Sequence, residues 1–311
     1  MKHLTFLLLI FLFLSCSKEK KADKAGEKMQ VFVIEISDYA RGLDPDFIVI
    51  PQNGIELAFD YLDPADGTHP AYMAAVDGFG VEELFYDGDL SPDNERLSML
   101  QELPESKKVM VAEFVSDNSN INDAINRNIE EGFICFPRTN NNYDYLEILD
   151  TVVDENSNDI TSLQEAQNYL YLISTDNFSS KADMITAISA TNFDVILIDL
   201  FFEEVELTFN EVQQLKTKAN GGKRLAIAYM NIGSAENYRY YWQEDWKLHR
   251  PNWLKKAYEG YDDEIWVKFW NEDWRDIIYG NDNSYTKKIV DAGFDGTYLD
   301  NVEAYYFLYF D

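Results

Sequence analysis

The sequence is poor in the side chains that bind metals or form disulfides. Among 311 residues there are two cysteines, Cys16 and Cys135, and only three histidines. Three histidines are too few for a histidine-rich metal site, so no metal is expected. Cys135 lies in the apolar run "FICF", which is typical of a buried small side chain and not of a catalytic thiol. The chain also lacks a glycine-rich nucleotide-binding loop, and no cofactor is expected.

Basic residues are scarce as well. The chain has 26 Lys and Arg against 56 Asp and Glu, which gives a formal net charge of −30. Nucleic-acid binding needs Lys and Arg to contact phosphates, so a nucleic-acid partner is excluded. A negative field favours the approach of a cationic substrate. The alternative is that the charge only keeps an acidic exported protein soluble.

No apolar run is long enough for a mature membrane span. The run from Leu4 to Leu14 is shorter than the ~20 residues that cross a bilayer, and it closes on "LSC". This ending resembles a bacterial lipoprotein cleavage box. We therefore expect a signal peptide over residues 1–15, lipidation of Cys16 and a solvated tether over 16–28. The protein would be an exported lipoprotein that contacts the membrane through its lipid alone. The alternative is an ordinary signal peptide with a chance cysteine.

Apolar runs alternate with amphipathic segments from residue 29 onward. This alternation, over residues 29–311, predicts a single α/β domain, a (β/α)8 TIM barrel. Strands are predicted at 46–52, 72–78, 109–115, 133–137, 169–174, 194–200, 224–233, 264–270 and 295–301. Helices are predicted at 30–42, 93–103, 119–131 and 284–292, with two more after the fifth and sixth strands. Nine strands are one too many for the barrel, and 133–137 is expected to be the extra one.

The segment 138–168 differs in composition from its surroundings. It is rich in Asn and Asp, has no Gly or Pro, and shows only weak apolar periodicity. It is therefore expected to be a connector and not a core element.

Several motifs resemble glycoside hydrolase family 114, the endo-α-1,4-polygalactosaminidases. The most specific are "GSAENYRYYW" and "GFDGTYLDNVEAY"; "DVILIDLFF" and "YARGLDPDFIVIPQNGIEL" match as well. The resemblance implies a TIM barrel that cleaves a polysaccharide, such as an α-1,4-linked galactosamine polymer, with two carboxylates. Ser234 departs from the pattern, because many relatives carry a second Glu at this position.

The order of these motifs also departs from the family. In relatives, a run like "DNVEAYYFL" precedes one like "YAR…VIPQNG", whereas here the first lies at the C-terminus and the second opens the domain. The order predicts a circular permutation in which 138–168 joins the ancestral termini. A mispredicted gene start or stop is the alternative.

Two carboxylates are candidates for catalysis. Glycoside hydrolysis needs two carboxyl groups beside the scissile bond, and in a barrel they come from the carboxyl ends of strands. Asp199 ends "DVILID", and Glu236 follows "YMNIGSA". The resemblance aligns both with acidic residues of the family. Glu236 is expected as acid/base and Asp199 as nucleophile or base. The alternatives are a helix cap or loop salt bridge for Asp199 and an ion pair with Arg239 for Glu236.

Further polar and aromatic residues are placed near predicted strand ends. Candidates for substrate binding are Gln52, Asn53, Asp77, Tyr229, Asn231, Trp270, Asp300 and Glu303. Asp300 is also a candidate to replace Asp199 in the catalytic pair. Each of these side chains could instead satisfy loop backbone or fill the core.

A non-catalytic function is the main alternative. The same barrel could serve as a carbohydrate-binding surface lipoprotein, because a fold does not determine chemistry. The geometry of Asp199 and Glu236 across an open cleft separates the two hypotheses.

Overall fold

The computed structural model describes the backbone of residues 2–310 and the side chains of residues 18–310. The strands in this part of the chain are β1 Ile48–Pro51, β2 Gly78–Leu90, β3 Lys108–Val115, β4 Ile134–Arg138, β5 Tyr169–Leu172, β6 Val195–Asp199, β7 Phe201–Phe202, β8 Val205–Glu206, β9 Leu225–Asn231, β10 Ser234–Glu236, β11 Leu254–Ala257, β12 Glu264–Val267 and β13 Gly296–Asp300. The helices are α1 Lys2–Leu43, α2 Pro70–Ala75, α3 Asn94–Gln101, α4 Ile121–Glu130, α5 Lys181–Ser189, α6 Phe209–Leu215, α7 Glu272–Ile278, α8 Tyr285–Ala292 and α9 Ala304–Phe307. Short 3-10 helices cover Ile55–Ala58, Asp60–Leu62, Pro64–Asp66, Asn118–Asn120 and Leu163–Glu165. None of the helices described has the length and apolar character needed to cross a bilayer.

Two parallel sheets form the centre of the mixed α/β fold. The first has the strand order β1-β13-β9-β6-β5, and the second has the order β2-β3-β4. Strands β6 and β9 at the middle of the first sheet are entirely buried, as expected for parallel strands covered on both faces. The pairing of β1 with β13 aligns Ile48 with Gly296. The first and last strands of the chain therefore share one sheet.

The two sheets meet at the carboxyl end of β1. A parallel bridge joins Gln52 to Gly80 in β2, and the amide of Asn53 donates to the Gly80 carbonyl at 2.7 Å. The opposite edges of the two sheets are β5 and β4, and within residues 2–310 no hydrogen-bonded ladder joins these two strands. The strands thus follow the order expected of a barrel, while the ladders themselves remain open.

The strand predicted at 72–78 was wrong. Residues 70–75 form helix α2, and β2 starts only at Gly78. Pro70 occupies the first turn, where its missing amide hydrogen is tolerated, and His69 caps the helix by accepting a hydrogen bond from the Tyr72 amide through Nδ1 at 3.2 Å. The short apolar run gave no periodicity to distinguish the two structures.

The extra strand was also assigned to the wrong segment. β4, at 134–138, pairs in parallel with β3 and belongs to the central sheets. The strand outside them is β12, which pairs antiparallel with β10 and β11 in a small separate sheet. The other predicted strands correspond to β1, β3, β5, β6, β9 and β13, and the predicted helices to α1, α3, α4, α5, α6 and α8.

The segment predicted as a solvated tether is helical where its side chains are described. Residues 18–28 continue helix α1, and Ala22 and Ala25 are buried, because their small side chains share a face with Met29 and Phe32. The side chains of the predicted signal peptide and of Cys16 lie outside the described residues.

The segment 139–162 has no regular secondary structure. It is nevertheless not peripheral throughout, since Tyr145 and Ile160 are buried against the core. Tyr145 stacks on Tyr171 of β5 with ring centroids 3.6 Å apart. This segment therefore covers one side of the site described below.

Candidate active site

A wide cleft of about 770 Å³ opens at the carboxyl ends of the parallel strands. Among the described side chains, eleven carboxyl groups and two guanidinium groups line it. The carboxyl groups are those of Glu82, Glu83, Asp144, Asp176, Asp199, Glu203, Glu236, Asp263, Glu264, Asp300 and Glu303. One guanidinium, that of Arg96, donates to Asp93 and to the carbonyls of Glu82 and Glu83. The other, Arg239, is ion-paired as described next, so the cleft is strongly negative.

Asp199 and Glu236 share the guanidinium of Arg239. Asp199 ends β6, and its Oδ2 lies 2.8 Å from Nη1 of Arg239; Glu236 ends β10, and its Oε2 lies 2.8 Å from Nε. Tyr238 donates to Oε1 of Glu236 at 2.6 Å. Burial raises the pKa of Asp199, while Arg239 and the Phe201 amide oppose that rise. The two carboxylates predicted from the sequence are thus brought together, with the cation between them.

Asp300, at the end of β13, lies on the neighbouring strand. Tyr229 of β9 donates to its Oδ2 at 2.6 Å, and the Asn301 amide donates to Oδ1 at 2.7 Å. Burial, followed by the charge of Glu82, raises the pKa of Asp300 to about 7 in spite of these donors. Asp300 is therefore partly protonated near neutral pH.

Glu264 was not found by the sequence analysis. It begins β12 and is the cross-strand partner of Glu236 in the small antiparallel sheet. Ser234 donates to its Oε2 through a short hydrogen bond, and Asn231 donates to the same oxygen at 3.1 Å. Burial, and then the charge of Glu236, raises the pKa of Glu264 to about 8. Ser234 and Asn231 thus hold a protonated carboxyl group above the ends of the central strands.

Glu82 in β2 is a second cleft carboxylate that no sequence pattern predicted. The pairing of β2 with β3 shifts between Glu82 and Asp87, so the backbone leaves the regular ladder at this point. Asn53 donates to Glu82 at 3.2 Å, and Tyr145 does so through a short hydrogen bond. Since the strand predicted in this region covered residues 72–78, no strand-end signal marked residue 82.

Glu303 also lines the cleft, in the turn after β13. Burial, followed by the charges of Glu56 and Glu82, raises its pKa to about 8. Together with Asp300 and Glu264, it gives the cleft three carboxyl groups that retain protons near neutral pH.

The remaining predicted residues divide into three groups. Gln52, Asn53 and Tyr229 line the cleft as expected. Asn231 is buried beneath it and binds Glu264. Asp77 and Trp270 lie elsewhere.

The prediction for Asp77 was wrong because the residue precedes β2 and does not end a strand. Its carboxylate pairs with Arg41 at 2.8 Å and accepts the Val49 amide, which ties β1 to α1. Trp270 follows β12 on the helix side, where Lys28 of α1 lies 4.4 Å from its ring. Neither residue lines the cleft.

Comparison with known proteins identifies the family of this chain. The model of glycoside-hydrolase family GH114 matches residues 150–308, about half of the chain. The chain belongs to glycoside hydrolase family 114. This family has the TIM-barrel fold, which accords with the parallel strands and their order.

Three relatives of this GH114 protein are uncharacterized proteins. One from Thermotoga maritima is 32% identical over 118 residues, which cover 38% of this chain and 35% of the relative. One from Methanocaldococcus jannaschii is 32% identical over 150 residues, which cover 48% of this chain and 41% of the relative. One from Deinococcus radiodurans is 30% identical over 121 residues, which cover 39% of this chain and 37% of the relative. The matched part thus spans only 35% to 41% of the length of these relatives.

The GH114 match contains only one side of the cleft. Asp199, Glu236, Glu264 and Asp300 fall within residues 150–308, whereas Glu82 lies outside them. The first half of the chain therefore contributes cleft residues that the family match does not include.

Proposed function

We propose that the protein is a glycoside hydrolase that cleaves a polysaccharide in this cleft. The observation that carries the proposal is the juxtaposition, in one open site of a GH114 chain, of Asp199, ion-paired to Arg239, with carboxyl groups whose pKa is raised to about 7 or 8. A two-carboxylate mechanism needs one group in each of these states. Asp199 serves as nucleophile or base.

In this proposal Glu236 has a different role from the acid/base role expected from the sequence. Arg239 contacts both of its oxygens and Tyr238 donates to Oε1, so this carboxyl group is engaged in holding Arg239 and not in contacting a glycosidic oxygen. Glu236 fixes Arg239, and through it the position of Asp199. Both residues are then needed for cleavage, although only Asp199 contacts the reacting sugar.

The first test compares Asp199→Asn and Glu236→Gln with the unmodified protein. We expect reducing-end release from an α-1,4-galactosaminan to fall at least about a hundredfold in both variants, because each removes a charge that the transition state requires. Glu272→Gln, an exposed position on α7, is the matched control and should retain full activity. Circular dichroism of all variants would verify folding.

Two results would contradict the proposal. Cleavage by Asp199→Asn at the normal rate would exclude Asp199 as nucleophile or base. Binding of the polymer without release of reducing ends by the unmodified protein would instead favour the non-catalytic carbohydrate-binding alternative.

The charge of the cleft supports a polymer with free amines as substrate. The two guanidinium groups of the cleft are already paired, so the surplus of carboxylates remains available to ammonium groups. We expect kcat/KM for galactosaminan to fall about tenfold between about 0.01 M and 0.1 M salt, where the screening length decreases from about 30 Å to about 10 Å.

The N-acetylated polymer is the control for this salt effect. It has the same backbone but no cation, so its cleavage or binding should depend little on salt. An equal salt dependence of both polymers, or a preference for the acetylated one, would contradict an amine-binding cleft.

The proposal extends to the architecture and location of the protein. The permuted, closed barrel is supported by the shared sheet of β1 and β13 and by a family match that starts inside the 138–168 connector.

Export and lipidation at Cys16 are supported by the sequence of residues 1–16. Metabolic labelling with a fatty acid, lost in Cys16→Ala, would test the anchor.

A further inference from the structure

We propose that Glu264 is the general acid, the side chain that protonates the glycosidic oxygen. This inference rests on the proposed hydrolase function. Glu264 lines the cleft together with Asp199, and it lies directly across the β10–β12 pair from Glu236. Directly opposed side chains in such a pair have Cβ atoms about 4.5–5.5 Å apart. The position therefore places an acid beside the Arg239-bound carboxylates.

The hydrogen bonds of Glu264 leave one oxygen for the proton. Both of its donors, Ser234 and Asn231, bind Oε2. Oε1 has no hydrogen-bond partner among the described residues. The carboxyl group is thus fixed through one oxygen, while the other is available to carry a proton to a bound sugar.

The support beneath Glu264 is also well built. Ser234 accepts hydrogen bonds from Asn231 at 2.7 Å and from Asn301 at 3.3 Å, which orients its own hydroxyl toward Glu264. Asn301 in turn accepts from Tyr258 at 3.1 Å. Residues at the ends of β9 and β13 therefore fix the orientation of Glu264, which belongs to the small antiparallel sheet.

Asp300 and Glu303, the other cleft carboxyl groups whose pKa is raised to about 7 or 8, are less suited to donate a proton. Asp300 accepts hydrogen bonds on both oxygens, from Tyr229 and from the Asn301 amide, an arrangement that favours its ionised form. Glu303 has no side-chain hydrogen bond within residues 18–310 that would fix its orientation. A general acid needs both a proton and a fixed direction.

The surroundings of Glu264 keep it protonated. The groups that act on it electrostatically are Glu236 on β10, Asp300 on β13, Asp263 next to it in the chain, and the phenols of Tyr229, Tyr238, Tyr241, Tyr258 and Tyr261. The cation Arg239 lies beyond Glu236 and is neutralised by it and by Asp199. With the pKa raised to about 8, the acid form predominates at neutral pH.

The chemical step then balances with water alone. Glu264 transfers its proton to the glycosidic oxygen while the bond from this oxygen to the anomeric carbon breaks and its electron pair stays on the oxygen. Asp199 attacks that carbon or deprotonates the water that does so. One water is consumed, and its proton restores the acid form of Glu264 directly or through solvent.

The decisive variant is Glu264→Gln, since Gln retains the shape and the acceptor oxygen for Ser234 and Asn231 but has no acidic proton. We expect polymer cleavage to fall at least about a hundredfold. Cleavage of an aryl glycoside of the oligosaccharide should fall less than about fivefold, because a phenolate leaves without protonation. Asp199→Asn should lose both activities.

A pH profile provides a second criterion. For the unmodified protein, kcat/KM on the polymer should decrease as the pH rises through about 8, because the donor is active only in its protonated form. Glu264→Gln should lack this alkaline limb. Glu303→Gln, the same change at a carboxyl group of similar pKa, should retain the limb.

The outcomes separate the two proposals. If Glu264→Gln cleaves the polymer normally with the alkaline limb intact, Glu264 is not the acid, and the hydrolase proposal stands. If the unmodified protein cleaves neither the polymer nor the aryl glycoside, the hydrolase proposal fails, and the acid assignment fails with it. Infrared difference spectra at pH 7 give a check that does not depend on turnover. If the band of protonated carboxyl groups is as strong in Glu264→Gln as in the unmodified protein, Glu264 does not carry the proton and the assignment is wrong.

Discussion

Replacement of Arg239 by methionine is expected to lower the free energy of unfolding by about 3–5 kcal/mol and to reduce polysaccharide cleavage about a thousandfold. The side chain of Arg239 is only 5% exposed and binds Asp199 and Glu236 at 2.8 Å each. Without the cation, two buried carboxylates would face each other uncompensated. Urea unfolding would measure the stability change, and reducing-end release the activity.

Two further variants identify the cause of this loss. Arg239→Lys retains the charge but not the fork that reaches both carboxylates through Nε and both Nη atoms, so it should restore stability only in part and activity hardly at all. Arg250→Met removes an exposed pair with Asp245 and should change stability by less than about 1 kcal/mol. A change of the same size in Arg239→Met and Arg250→Met would exclude the proposed role of the buried network.

The strand-end rule was enough to find part of the site from the sequence. Asp199 and Asp300 each end an apolar run, and the parallel pairing of β6, β9 and β13 brings both to one edge. These runs are buried on both faces, so their composition distinguishes them from helices. Buried strands that end on an acidic residue therefore indicated the edge of the sheet at which the cleft lies.

The missed residues lie where local sequence does not determine position. Glu264 enters the cleft because β12 pairs antiparallel with β10, and Glu82 enters it because β2 leaves its ladder. Tyr145 comes from a segment with no regular structure, and it is held by stacking on Tyr171 and by hydrogen bonds to Glu82 and from the Ile173 amide. All three depend on contacts between residues far apart in the chain, which periodicity and turn residues do not encode.

Replacement of Lys218 by methionine is expected to destabilise the fold by about 3–5 kcal/mol. Lys218, which precedes β9, pairs with Asp194 at the start of β6 at 2.5 Å, and both side chains are fully buried. Its ammonium also donates to the carbonyl of Asn158 at 3.0 Å and thereby ties the 138–168 connector to the sheet. Methionine fits the space but leaves the Asp194 carboxylate buried without its cation. Urea unfolding at constant pH would measure the loss.

A double-mutant cycle determines whether the ion pair itself causes the loss. Asp194→Asn removes the charge, and combined with Lys218→Met it should cost less than the sum of the single changes by at least about 1 kcal/mol. Lys287→Met, which breaks an exposed helical pair with Asp291, should cost less than about 1 kcal/mol. Additive losses would mean that Lys218 acts through its carbonyl contacts with the connector. In that case the hydrogen bonds from Lys218 to the connector, and not its ion pair with Asp194, would account for the stability that Lys218 gives to this end of the sheet.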